Sequence, residues 1–301
     1  MQRGGKRGGV LRRGMALLLA AGLCVPALLG CSLIKRVSVA GIAAVLEDVG
    51  KATAKQTDLN LVQEGMPAYL MLLDGLIEAY PREKRLLLAG AEAYCSYAGA
   101  FGSPGDPEAT AELYLKGKGY ALRAMARSKD FRAVLSEPYP VFERYVQSLS
   151  ARDVPPVFWF ASCWAGWIGV AGGSVKAMAD LPRVVLLMER IIDLEETYHY
   201  GGAHLFLGIY QSSRPKAYGG NPEGSRKHFE RAIEIGRGDY LMAYVYYAEY
   251  YARNTFQREL FVSLLEKVLG SPVDRVPELA FINTLAKRKA RQLLAHVEDY
   301  F

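Results

Sequence analysis

Residues 204–233 read HLFLGIYQSSRPKAYGGNPEGSRKHFERAI, and this stretch decides the fold. Its first part places His204, Leu207, Gly208 and Gln211 at three- and four-residue intervals, and its last part does the same with Ser225, Phe229 and Ala232. That period belongs to helices, so the stretch predicts two helices facing each other. Small residues let two helix axes approach, and the aromatic ring fills the space left beside them. Between the two, Asn221 suits an N-cap, Pro222 the first helical position, and Glu223 the positive end of the helix dipole. Gly219 and Gly220 permit left-handed backbone angles ahead of the cap. A glycine pair beside Tyr218 also lets the main chain come close to a ligand or a neighbouring protein. Tyr218, Gly219, Gly220 and Asn221 are therefore candidate contact residues.

The same signature recurs outward. Tyr244-x-x-Tyr247-Ala248-x-x-Tyr251 opens another pair, continued around Leu260 and Leu264. A fainter copy sits at Leu86-x-x-Ala89-Gly90-x-x-Ala93, with Gly117, Ala121 and Ala124 as the small face of its partner helix. This is the spacing of tetratricopeptide repeats, whose helix pairs cannot bury their own faces and so stack into a solenoid. Stripes such as Leu70, Leu73, Ile77 and Val184, Leu187, Met188, Ile191 extend the helical period, and strand alternation is almost absent. Breaks at Pro81, Gly102–Gly105, Pro138, Pro155-Pro156, Pro182, Gly201-Gly202, Gly219-Gly220, Gly236–Gly238, Pro272 and Pro277 divide the chain. The predicted class is all-α, a tetratricopeptide-like helical-repeat superhelix over 58–301, with roughly a dozen helices in the chain.

Ahead of the repeats stands an export signal. Five basic residues without an acid (Arg3, Lys6, Arg7, Arg12, Arg13) precede an apolar run from Met15 that ends in Leu28-Leu29-Gly30-Cys31. The run is too short to span a bilayer comfortably, and small residues before Cys31 fit a lipobox. The reading is a lipoprotein signal peptide over 1–30, lipidation at Cys31, and an acylated tether with a first helix over 31–57. Two or more acyl chains make such an anchor stable, at roughly 0.8 kcal/mol per buried methylene. The chain's 37 basic and 31 acidic side chains become 32 against 31 once the signal leaves. A near-neutral mature chain argues against nucleic acid as a partner. Cys95 and Cys163, each in an apolar helical stretch, read as small buried hydrophobes, with a disulfide as the alternative in an exported protein.

Catalytic signatures are missing. His199 and His204 are five residues apart and diverge on a helix, and no cysteine or carboxylate cluster completes a metal set. Phosphate-binding loops, serine elbows and dinucleotide fingerprints are absent. We expect no metal, no cofactor and no enzymatic activity. Glu195-Glu196 reads as solvated surface, as does the basic run Lys287-Arg288-Lys289 with Arg291 on the last long helix.

Aromatic residues are what remains. Between Tyr240 and Tyr251, Tyr240, Tyr244, Tyr247 and Tyr251 share one helical face, while Tyr246 and Tyr250 point elsewhere. A second cluster, Phe158, Trp159, Phe160, Trp164 and Trp167, occupies a helix begun by Pro155-Pro156. Core packing claims most of these rings. The alternative is an apolar groove or pore with hydroxyl and indole handles, for which Trp159, Trp164, Trp167, His204, Tyr246 and Tyr250 are the candidates.

Taken in order, five features resemble the T-component family of tripartite ATP-independent periplasmic (TRAP) transporters. They are the lipobox, Tyr94 to Phe101, Tyr120 to Ala124, Gly219 to Glu223 running into Phe229 to Ile233, and Asn283-Thr284-Leu285-Ala286. The resemblance spans about Asp58 to Phe301. It implies a periplasmic lipoprotein, with the inner membrane favoured for its anchor, that self-associates, a trimer with a central passage being one arrangement. It also implies docking on the solute-binding receptor of a TRAP system that handles apolar or organic acid ligands. Gly224 and Ser225 depart from the pattern, standing where a stronger helix former is expected and loosening that helix start. A general tetratricopeptide scaffold for envelope or secretion assembly is the competing reading.

Overall fold

Side-chain caps at Asp58, Glu83, Asp106, Ser174 and Asn221 start five of the α-helices. The structure, a computed structural model, describes residues 41–103, 105–125, 128–171, 174–214 and 220–301. The signal segment, Cys31, Tyr218 and Gly219 lie outside them. The chain divides into two compact units, Met1–Leu46 and Glu47–Phe301. Of the first, residues 41–46 are described and are helical. The second holds the helical array.

Residues 41–54 form helix α1. Asp58 then accepts hydrogen bonds from the amides of Asn60 and Leu61 and starts α2 (Leu59–Ala79). After it come α3 (Lys84–Phe101), α4 (Pro107–Ala124), the short α5 (Ser128–Val134) and α6 (Tyr139–Gln147), α7 (Val154–Val170) and α8 (Val175–Glu195). Then follow α9 (Tyr198–Ser212), α10 (Pro222–Ile235) and α11 (Leu241–Tyr246), which continues as a π-helical turn, Tyr247–Ala252. The chain ends in α12 (Arg258–Gly270), α13 (Ala280–Ala295) and α14 (Val297–Tyr300). Among the described residues there is no strand.

The helices pair as α3 with α4, α7 with α8, α9 with α10 and α11 with α12, and each pair joins the next through α4–α7, α8–α9, α10–α11 and α12–α13. First helices also touch one another, α3 to α7, α7 to α9, α9 to the π turn and α11 to α13. Nearest-neighbour packing of this kind defines a helical-repeat fold. First helices make one layer and second helices the other. The array closes on itself where α13 returns to the start. Phe281 meets Phe101 with ring centroids 6.0 Å apart, Arg288 donates to the Ala100 carbonyl, and Lys55 pairs with Glu278 at 3.1 Å.

Small residues do set the helix approach. A Cβ on Gly90 would fall 2.8 Å from Ile77, on Gly117 2.9 Å from the Cys163 sulfur, and on Gly208 3.0 Å from the Phe229 ring. Phe131, Phe142, Phe160, Phe229 and Phe261 are fully buried between the layers, each contributing about 1.5–3 kcal/mol by burial. Gly224 and Ser225 do not loosen α10, contrary to expectation. Asn221 Oδ1 accepts from the Gly224 amide at 3.0 Å, and the buried Ser225 hydroxyl donates to the Gly208 carbonyl at 2.7 Å. A Cβ on Gly224 would collide with Gln211 at 2.3 Å. Close approach to α9, not helix propensity, fixes both residues.

Two further expectations fail. Pro182 does not end a helix, because α8 runs through it. Met178, whose carbonyl loses its partner, is on the exposed side of the helix. The basic run on α13 is not a solvated face. Lys287 donates to the Leu269 carbonyl at 2.9 Å, Lys289 pairs with Glu249 at 2.7 Å, and Arg288 lies over the Phe101 ring. Only Arg291 of the four is exposed.

Candidate functional site

The layer of first helices carries the candidate site. On α3 the positions Glu92, Ser96 and Gly99 share one face and all are exposed. Tyr114 of α4 reaches across toward α7, its hydroxyl 3.5 Å from where a Gly99 Cβ would stand and its ring where a Gly166 Cβ would be. Glycines on two helices thus leave room for one tyrosine.

Opposite them the chain enters α9 through three consecutive left-handed residues, His199 (φ 48°), Tyr200 (φ 56°) and Gly201 (φ 72°). Only the last of these is a glycine. The left-handed region costs other residues roughly 1–2 kcal/mol each, so surrounding structure must hold them there. Aromatic packing does so. The His199 ring lies 5.2 Å from Phe158 and 5.0 Å from Trp159, Phe158 lies 5.2 Å from Tyr198, and Tyr200 stacks on Tyr240 at 5.4 Å and 12°. A Cβ at Gly202 would sit 2.6 Å from the Phe158 ring, so Gly202 admits that ring, while Gly201 lies against Ile235 and Ala232 of α10.

His199 is open to water, yet the protein around it desolvates the imidazole and lowers its pKa to about 4. Glu92 is likewise exposed while desolvation raises its carboxyl above the ordinary range. Tyr246, half-buried, is pushed well above the usual phenol value, first by burial and then by Tyr240, Tyr250, Glu249 and Tyr114. These three come from α3, from the start of α9 and from α11, and α13 adds Lys289, which lies over the Tyr246 ring and pairs with Glu249.

The π turn puts the tyrosine ladder in place. Tyr240, Tyr244, Tyr247 and Tyr251 are buried, whereas Tyr246 and Tyr250 keep partial exposure and meet edge to face at 5.9 Å. Trp159 is buried behind His199. Trp164 and Trp167 face the second layer, where Lys118 of α4 lies 4.1 and 5.9 Å from their rings. Burial among those rings lowers the lysine to about 8. His204 lies between α9 and α10, its Nδ1 2.8 Å from Nδ1 of His228 and its Nε2 3.3 Å from Glu196. Glu196 is not free surface, because Arg231 pairs with it too. Asn221 is taken up as the α10 cap, and Gly220 beside it is half-buried.

The six candidate ring residues therefore fall into three places, with Trp159, Tyr246 and Tyr250 on the layer of first helices. Sequence reasoning passed over Glu92, Tyr114 and Tyr198, and weighed His199 as a metal ligand alone. The one legible signal was Tyr198-His199-Tyr200-Gly201-Gly202, an aromatic run ending in a glycine pair. Cys95 and Cys163 are free and buried. Among the described residues no group of three or more His, Cys, Asp or Glu is arranged to hold a metal ion, and no helix is long and apolar enough to cross a membrane.

A family model described as TRAP transporter T-component matches residues 55–301. An uncharacterized protein of Treponema pallidum (strain Nichols) is 24% identical over 270 residues, which cover 84% of each chain.

Proposed function

The chain belongs to the TRAP transporter T-component family, and from that premise we propose that it docks the solute-binding receptor of its transporter and shelters the ligand along the recess of its first helices. As a member of that family it is an accessory component of a TRAP transporter, placed in the cell envelope. In our reading Cys31 carries the lipid, the mature chain faces the periplasm, and copies of it associate. The recess takes an apolar or organic acid ligand, with Trp159, Tyr246 and Tyr250 among its walls. Tyr218, Gly219, Gly220 and Asn221 form the loop through which a partner is met.

The observation that carries this reading is the cluster of rings on the first helices, where the exposed His199 lies 5.0 Å from Trp159 and 5.2 Å from Phe158 and the half-buried Tyr246 and Tyr250 meet at 5.9 Å. Such a wall suits an amphipathic ligand, since rings supply apolar surface and phenols supply hydrogen bonds. Passage needs no bond-breaking step, because the gradient held by the permease drives movement. 1-Anilinonaphthalene-8-sulfonate serves as a probe: the mature chain should bind it saturably with enhanced fluorescence. Ser96→Trp, which fills the recess from an exposed position, should reduce that binding severalfold without lowering Tm. Equal binding by wild type and a folded Ser96→Trp variant would show that the recess is not where ligand is held.

A further inference from the structure

Phe256 is the most exposed large apolar side chain among the described residues, at 80%. It follows the π turn, and its backbone is left-handed (φ 55°). The Gln257 amide donates to the Ala252 carbonyl at 2.8 Å and the Phe256 amide to the Arg253 carbonyl at 3.1 Å, the pair of bonds that closes a helix through one left-handed residue. Glycine suits that position best, because a Cβ there crowds the main chain. A phenylalanine is thus disfavoured twice, by its backbone and by the water on its ring. With so much of the ring exposed, packing inside the molecule offsets neither.

Its surroundings have the make-up of a contact surface. Asn254 donates from Nδ2 to the Ser212 carbonyl at 3.2 Å, and the Asn221 amide donates to the neighbouring Gln211 carbonyl at 3.0 Å. These bonds tie the Phe256 turn to both ends of the α9–α10 loop. On its other side Arg253 lies 5.0 Å over the ring of Tyr300, and Phe301 next to it is exposed. Arg214, where the α9–α10 loop begins, lies 4.5 Å over the Tyr210 ring. Arg214 and Arg253 are half-buried, and neither has an acid within ion-pair distance among the described residues. The acids of this end have other roles. Glu298 pairs with Arg258, Asp299 bonds to His296, and Glu259 stands in the first turn of α12, where the helix dipole favours it.

We propose that Phe256 is the anchor of a protein-docking surface, seated in an apolar pocket of the partner whose rim offers carboxylates to Arg214 and Arg253. Exposed aromatic rings beside arginines are the residue types that dominate binding at protein interfaces. The surface continues from the α9–α10 loop, so it rests on the receptor-docking reading and assigns the solute-binding receptor as its occupant. A second copy of this chain would bring the same unpaired arginines and suits the surface less well.

The mature chain and its variants are passed over the immobilised solute receptor of the organism's own TRAP system, with Tm and sedimentation equilibrium measured on the same preparations. Phe256→Gly should weaken binding at least about tenfold, as expected for loss of an aromatic anchor. Its Tm should stay level or rise by up to about 2–4 °C, because glycine relieves the left-handed backbone. A ring with a purely structural role would lower both together. Phe256→Leu should keep part of the affinity, and Arg214→Gln should weaken binding severalfold and flatten its dependence on salt. Undiminished binding by Phe256→Gly overturns the proposal and leaves docking through the α9–α10 loop standing. A marked fall in the Tm of Phe256→Gly overturns it as well, since the ring would then hold the fold. Absence of wild-type binding removes receptor docking and its anchor together. Self-association that Phe256→Gly abolishes, with receptor binding unchanged, gives the surface to a second copy and overturns the proposal.

Discussion

Asn283→Ala should be among the most damaging single changes in the C-terminal half. The side chain is 2% exposed and bridges three backbone groups from α13. Its Oδ1 accepts from the Leu241 amide at 2.9 Å, at the head of α11, and its Nδ2 donates to the Asp239 carbonyl at 2.9 Å and the Val273 carbonyl at 3.1 Å. Leu241 is buried, so its orphaned amide bears close to the full desolvation cost, about 1–3 kcal/mol. Asp239 and Val273 are half-buried, so their carbonyls find some water and lose about 0.5–1 kcal/mol each. The total is about 2–5 kcal/mol, a large share of the roughly 5–15 kcal/mol that holds a domain. Chemical denaturation gives the magnitude. Amide hydrogen exchange gives its place, which should be α11 to α13 first, as nearest-neighbour coupling requires. Asn283→Asp should be no better than Ala, because a carboxylate keeps the Leu241 contact but faces two carbonyls. A loss under about 1 kcal/mol for Asn283→Ala, or an unharmed Asn283→Asp, would mean that this bridge does not hold α11 to α13.

Gly208→Val should cost about 1–3 kcal/mol by forcing a side chain against the fully buried Phe229 ring, whereas Gly119→Ala, with nothing within 4 Å, should stabilise by about 0.5–1 kcal/mol. Denaturant midpoints of the two variants moving in the same direction would contradict the packing. Stability should fall as pH drops from about 6.5 toward 4. Burial lowers His204, and burial with His204 beside it lowers His228 to about 4, so the unfolded chain takes up protons that the folded one refuses. Allowing for partial exposure the loss is about 1–2 kcal/mol, and a His228→Gln variant with an unchanged pH slope would sink the claim. Cys95 and Cys163 should resist maleimide in the native state and react on unfolding, because both are buried, and burial followed by the neighbouring Cys95 pushes the Cys163 thiol up. Rapid native labelling would show that the α3–α7 contact opens.

What could be read from sequence was local. The α9–α10 hairpin followed from Gly208, Phe229 and Ala232, because helix approach is written in small and large residues at fixed spacing. Asn221 and Pro222 declared their own cap. The tyrosine ladder sorted itself by the same arithmetic, leaving Tyr246 and Tyr250 off the buried face. Long-range placement was not legible. Nothing local says that Lys287, Arg288 and Lys289 will be engaged by Leu269, Ala100 and Glu249 when α13 returns to the start of the array. The left-handed turn at His199 looked like an ordinary glycine break, since the sign of φ there depends on Phe158 and Trp159, two helices earlier in the chain.

Binding of the mature chain to the purified solute receptor of its own organism's TRAP system, with the receptor immobilised, bears on the proposed role more directly than any other experiment. Saturable one-to-one binding of each chain to a receptor is expected, weakened by Gly220→Val in a variant that keeps its Tm. Failure of every TRAP receptor to bind, with capture of an envelope assembly protein instead, would contradict that role.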